Sequence, residues 1–344
     1  MKIRIAITAA LLSMLLLTGC TASTENIDAA LDCAFEQKYD EALEYLDKAA
    51  LAAEDARAQS RARGIVYIGL ARYDEAIEEL LLALSMSNGD VTEFDYDVSY
   101  YLAVAQYKSG DYDGAIETYS AIIALRPNEA NPYFLRGSVR LYADYYDDAI
   151  RDFNNAIDRD KKNPDLYINI YEVLSACGKE DAGQDFLDKA VRLDTKLSDY
   201  QKGRLYYYQG DYENARNFLE KARADEGEGV TEYLGMTYEA LGDTNYAASL
   251  YKTYLEKHPD DAIVQNQLGR CLMNAGEYDE ALKCFEAALA LPGVTNAQAL
   301  RLNEIAAYEY KGDFKKAYVL MKAYLQIYPD DENAKREYKF LETR

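Results

Sequence analysis

Small, aromatic and large apolar residues return along this chain at fixed offsets, and the offsets are those of helical neighbours. The phrase GDYDGAIETY at residues 110–119 recurs as GDYENARNFL, GEYDEALKCF and GDFKKAYVLM. It returns in looser form as QKYDEALEYL, ARYDEAIEEL and DYYDDAIRDF, and GKEDAGQDFL and GDTNYAASLY are degenerate copies. Aligned, they place a small anchor residue at Ala42, Ala76, Ala115, Ala149, Gly183, Ala215, Ala247, Ala281 and Ala317. Four residues after the anchor the chain is always large and apolar, as at Leu46, Phe153 and Met321. Three before it most copies carry an aromatic, such as Tyr39, Tyr212 or Phe314.

Five residues before the anchor six copies carry glycine, where a first helix ends and the chain turns. Twelve before it most copies carry a second small residue, as at Gly64, Gly137 and Gly203, but two have Tyr171 and Ile305 there. Two small residues facing one another would let paired helices cross closely. Extra loop is expected around SMSNGDVTEF, residues 85–94, where the spacing is longest. After Pro329 the stripe Ala334, Tyr338 and Leu341 predicts one closing helix.

The anchors recur at about 34 residues, the period of the tetratricopeptide repeat, which is built as helix–turn–helix. On these motifs the chain resembles that family over nine consecutive repeats, residues 27–329, followed by a capping helix in 330–344. The resemblance implies an all-α, right-handed superhelix (an α-solenoid) whose polar-faced last helix ends the stack in water.

The N-terminus reads as a targeting segment. Lys2 and Arg4 precede an apolar run over residues 5–17, too short to span about 30 Å of hydrocarbon. The run ends in LTGC, which resembles the bacterial lipobox. That resemblance implies a signal peptide at 1–19, lipidation of Cys20, a tether at 20–26, and an extracytoplasmic protein on the cell membrane or outer membrane. Thr21 stands where an inner-membrane retention signal has Asp.

Charge narrows the partners. The formal net charge is −22, from 60 acidic and 38 basic residues. Such a field repels nucleic acid and favours a basic protein partner. The chemistry of catalysis is sparse. The one histidine, His258, sits before a proline and reads as a turn residue. Cys33, Cys177, Cys271 and Cys284 form no CxxC pair or zinc spacing and read as thiols, although Cys271 and Cys284 could meet across a hairpin. No phosphate-binding loop is present, and GEGVTE lacks the third glycine of a dinucleotide fingerprint. An enzyme is not expected, and no cofactor or metal is implied.

What remains is surface. In the resembled family the first helices line a concave groove that takes peptides. Carried over repeat by repeat, the groove candidates are Asp97, Tyr100, Tyr107 and Lys108, then Phe134, Ser138 and Tyr142. Ile168, Asn169 and Glu172 follow, then Tyr200, Arg204, Tyr207 and Tyr208. The later repeats add Glu232, Met236 and Glu239, then Asn266, Arg270, Met273 and Asn274, and last Leu302, Glu309 and Tyr310. In LYYYQGDY, successive helical side chains about 100° apart spread three rings too widely to face one core. Tyr206 and Tyr212 are therefore assigned to the core, and Tyr207 and Tyr208 to the groove.

The expected function is a membrane-anchored scaffold or adaptor that binds an envelope or secreted protein. The alternative is a glycan-binding lipoprotein of a carbohydrate-uptake system, suggested by the tyrosine-rich groove and disfavoured by the absence of Trp.

Overall fold

The computed structural model describes residues 24–193, 197–223, 229–291, 294, 296–329 and 331–344. Cys20 and the whole of the expected signal and lipidation segment lie outside the described residues. Every regular element among the described residues is an α-helix. Two compact units divide the chain, Met1–Gly183 and Gln184–Arg344.

The first unit holds α1 (Glu25–Phe35), α2 (Tyr39–Leu51), α3 (Ala56–Gly69), α4 (Tyr73–Ser85) and α5 (Glu93–Ser109). It continues with α6 (Tyr112–Leu125), α7 (Ala130–Tyr142), α8 (Tyr146–Arg159), α9 (Pro164–Ala176) and the start of α10 (Glu180–Val191). The second unit contains α11 (Asp199–Tyr208), α12 (Tyr212–Ala222), α13 (Val230–Ala240), α14 (Thr244–Leu255) and α15 (Ala262–Asn274). It ends with α16 (Tyr278–Leu289), α17 (Ala297–Lys311), α18 (Phe314–Ile327) and α19 (Glu332–Leu341). The helices from α1 to α18 form nine consecutive pairs, and α19 closes the series. Two boundaries shift: Glu25 and Asn26, expected in the tether, open α1, and Phe94, expected in loop, lies in the first turn of α5.

The recurring Gly-Asp has two separate tasks. All nine turns within a repeat pass through left-handed backbone, six at glycines such as Gly110 (φ 91°) and Gly312 (φ 88°). The other three use Gln37 (φ 62°), Ala71 (φ 57°) and Asp144 (φ 63°), so the turn is kept even where the glycine is not. The Asp then caps the second helix. Asp111, Asp211, Asp243 and Asp313 accept the backbone N–H groups of Gly114, Asn214, Tyr246 and Lys316.

Within a repeat, the small residue of the first helix does not face the small anchor, as the sequence suggests. The atoms nearest to a β-carbon on Gly64, Gly203, Gly235 and Gly269 belong to Leu80, Leu219, Tyr251 and Phe285, the large residues four after the anchor. Glycine opens a slot and the large side chain fills it. The anchors Ala42, Ala76, Ala115, Ala215 and Ala281 are themselves fully buried. In the fifth repeat the sizes are exchanged, with Tyr171 on the first helix and Gly183 as the anchor beneath its ring.

The aromatic that opens seven of the nine second helices is not core. Tyr39, Tyr112, Tyr212 and Tyr278 are half-buried and Tyr146 is exposed. Tyr206 is also half-buried, stacked on Phe218 with ring centroids 5.5 Å apart. The expected core placement of Tyr206 and Tyr212 is thus corrected: both rings cover the core and keep one edge in water. At the C-terminus, Ala334 and Leu341 of α19 bury against Ile305, Met321 and Tyr324. Tyr324 donates to Asp331 at 2.7 Å, and Asp331 caps α19 through the N–H groups of Asn333 and Ala334. The four described cysteines are free thiols, and burial pushes the Cys284 thiol up to about 11.

Candidate functional site: the face of the first helices

In the second unit each first helix touches the next one, α11 to α13, α13 to α15 and α15 to α17. Their outward side chains therefore share one surface. At the N-terminal end of that surface is a tyrosine cluster built on α11 and α13. Tyr200 meets Tyr233 edge-on with centroids 6.2 Å apart, and Tyr207 meets Tyr233 edge-on at 5.7 Å. The hydroxyls of Tyr208 and Tyr233 lie 3.2 Å apart, within hydrogen-bonding reach. The Arg204 guanidinium covers Tyr233 at 5.0 Å and Tyr200 at 5.4 Å, which is cation–π range. Burial, followed by the neighbouring Tyr212, pushes the Tyr207 phenol up to about 12. Tyr200, Arg204, Tyr207 and Tyr208 are all half-buried. They join two repeats and leave only part of each side chain to a ligand.

Next to the cluster, the face becomes polar. Gln267 of α15 is buried; its amide nitrogen donates to the Met236 sulfur at 3.1 Å and its oxygen accepts from Arg270 Nη1 at 2.9 Å. Burial holds the Glu232 carboxyl above the usual carboxylate range, opposed by a hydrogen bond from Gln267. Glu239 is turned inward, accepting from the buried Tyr251 hydroxyl at 3.0 Å. Arg270 itself is exposed, and among the described residues it forms no ion pair with a carboxylate. Asn274, one turn further on, is exposed as well. On α17 Tyr310 is 68% exposed, its ring parallel to Tyr278 at 6.1 Å.

The first unit has its own smaller patch. Tyr107 of α5 and Tyr142 of α7 pack with ring centroids 5.4 Å apart, and Lys108 lies half-buried in the last turn of α5.

Five candidates on the first helices are buried instead. Tyr100 is buried against Tyr119 with centroids 6.2 Å apart, and Phe134 is buried against Phe153 at 6.1 Å. Asn266 is buried and accepts from Asn303 at 2.8 Å. Ser138 and Ile168 are buried too. Tyr100 and Phe134 are covered by rings of the second helix of their own repeat, and Asn266 by the next first helix. Conversely, the sequence reading passed over Tyr233 and Gln267. Tyr233 stands three residues before Met236, a spacing that places both on one helical face.

Tetratricopeptide-repeat family profiles match this chain at residues 61–130, 200–222 and 238–303. These segments are tetratricopeptide repeats, and they cover most of α3 with α4 to α6, most of α11 with all of α12, and the last residues of α13 with α14 to α16 and the first half of α17. Among curated relatives, the peroxisomal targeting signal receptor of Candida albicans is 23% identical over 248 residues, 59% of this chain. The BBSome complex member bbs-4 of Caenorhabditis elegans is 26% identical over 193 residues, 53% of this chain. The matched region spans only 42% of the length of each relative. Among solved structures, YrrB, a TPR protein with an unusual peptide-binding site, is 28% identical with a TM-score of 0.36. That match covers 54% of this chain and 97% of YrrB. A tetratricopeptide repeat protein from Parabacteroides merdae is 12% identical with a TM-score of 0.45, covering 73% of this chain and 98% of its own.

Proposed function

We propose that this chain is a membrane-anchored scaffold that holds a peptide segment of an envelope or secreted protein on the first-helix face of its second unit. The repeats supply rigid helix pairs, and a rigid face binds without paying to order itself. The observation that carries the reading is Arg270. In a chain with 60 acidic residues, an exposed arginine oriented by a buried glutamine and without a carboxylate partner among the described residues is a donor held ready for a ligand. Tyr310 and the outer edges of Tyr207 and Tyr208 supply aromatic area beside it, and Tyr and Arg dominate interface energetics. Away from this face, the acidic surplus favours a partner with a basic surface.

The anchor in this reading is a lipid on Cys20, which places the protein on the outer side of a cell membrane or on an outer membrane. None of the described helices is long and apolar enough to cross a membrane. The tyrosines that suggested saccharide binding are engaged with one another, which leaves no open ring platform in that cluster for a sugar.

A photo-crosslinking residue at Asn274 or Tyr310, activated in cells and followed by mass spectrometry, tests the proposal. One partner protein, captured at both positions and lost with Arg270→Ala, is the expected result. Crosslinks that are scattered over many proteins, or indifferent to Arg270, would reject it.

A further inference from the structure

In the first unit every exposed large aliphatic side chain among the described residues lies on one rim. Leu51 closes α2 and is 89% exposed; Leu81, Leu82 and Met86 stand at the end of α4. Val91 precedes α5, and Leu125 closes α6. Second helices end on the same side on which first helices begin, and named contacts tie these ends together. The carboxylate of Glu54, just past Leu51, accepts the backbone N–H groups of Asn26 and Ile27 at 3.1 Å each, which pins the start of α1 to this rim. Arg57 donates to the carbonyl of Ala83 at 2.9 Å and pairs with Asp95, joining α3, α4 and α5. Arg126, just past Leu125, pairs with Glu93 at the start of α5.

We propose that this rim rests on the surface of a lipid bilayer, with the leucines and Met86 entering the interfacial region. The inference rests on the reading of Cys20 as the lipidated residue. From Cys20 to Glu25 the chain reaches at most about 17 Å when fully extended. The lipid would therefore hold the start of α1, and the rim pinned to it, against the membrane. Binding at an interface scales with the apolar area buried, so exposed leucines there add a second attachment to the lipid. The charges choose the kind of bilayer. Glu25, Asp55, Asp90, Glu93 and Glu129 lie along the rim and outnumber its cations Lys48, Arg57 and Arg126, of which the two arginines are already paired. A zwitterionic surface fits; an anionic one is repelled.

Membranes carrying the full-length protein, grown with an alkyne fatty acid, are loaded with a diazirine phosphatidylcholine, irradiated, and mapped by mass spectrometry. Fatty acid on Cys20 together with phospholipid adducts concentrated on residues 51, 81–91 and 125 is expected. The pair Leu51→Ser and Leu125→Ser should lower those adducts roughly tenfold, from the lost apolar area, with Cys20 acylation unchanged. Acylation of Cys20 with adducts absent from the rim, or spread evenly over both units, overturns the rim proposal and leaves the anchor standing. Rim adducts without acylation uphold the rim and reject the anchor. Protein–protein crosslinks at the rim in place of lipid adducts overturn it in favour of a protein interface.

Discussion

The ring of Tyr171 occupies the space above Gly183, where an added β-carbon would come within 2.9 Å of the ring Cδ2 and 3.2 Å of the Tyr171 carbonyl oxygen. In seven other repeats the first helix is small at this point and the anchor is alanine, so the fifth repeat has reversed a pair of sizes. Gly183→Ala is expected to destabilise this unit by about 1–3 kcal/mol, because the carbonyl cannot move aside as a side chain could. Adding Tyr171→Ala should recover part of that loss. Urea unfolding of the two singles and the double, read as a cycle, checks the coupling; additive effects would show that the two positions are independent.

Ala71 adopts φ 57° at a turn where six repeats place glycine. A side chain in left-handed backbone costs roughly 1–2 kcal/mol. Ala71→Gly should recover about 1 kcal/mol, and Gly110→Ala, at φ 91°, should lose a comparable amount. Thermal melts followed by circular dichroism report the opposite signs.

Asp152 is buried, and its carboxylate receives Arg136 and Arg140, each at 2.7 Å. Asp152→Ala leaves two guanidinium groups facing a partly closed interior and is expected to cost about 3 kcal/mol. Asp148→Ala removes an exposed pair with Arg151 and should cost less than about 0.5 kcal/mol. Denaturant midpoints of the two variants, compared at one salt concentration, test the contrast.

Burial, together with the carboxylate of Glu337 on the closing helix, pushes the Glu309 carboxyl up to about 7. A carboxyl whose value is raised by folding favours the fold while protonated. The contribution is therefore complete below the ordinary glutamate value and is lost as pH rises through about 7. Docking of α19 on α17 should loosen between pH 5 and pH 8, seen as faster amide exchange in α19 at matched intrinsic rates. Glu337→Gln should flatten that dependence, and an unchanged slope would assign it to other groups.

Much of the architecture was legible because it is local. The turn, the cap and the small-to-large alternation each depend on residues within one repeat, and repetition made the signal unmistakable. The closing helix was legible for the same reason, from Ala334 and Leu341 at helical spacing. The partner of each small residue was not. The reading set Gly64 and Gly203 against the alanine anchors, but Leu80 and Leu219 fill those slots, because the helix crossing brings the next turn opposite.

The candidate face was legible only in outline. Helical spacing placed Tyr100, Phe134, Asn266 and Arg270 on first helices but could not order them by exposure. Tyr100, Phe134 and Asn266 are closed off by neighbouring helices, while Arg270 stays open. The four tyrosines around LYYYQGDY show the same division: fanning rings were foreseeable, but Tyr233 of the next repeat, which engages both Tyr207 and Tyr208, was not.

The sequence by itself therefore determined the repeat, its helices and their turns, since those follow from dihedral preference and helical period within short spans. Only the tertiary structure decided which aromatic and polar side chains remain in water, because exposure depends on atoms that a different helix, of the same repeat or the next, brings into contact.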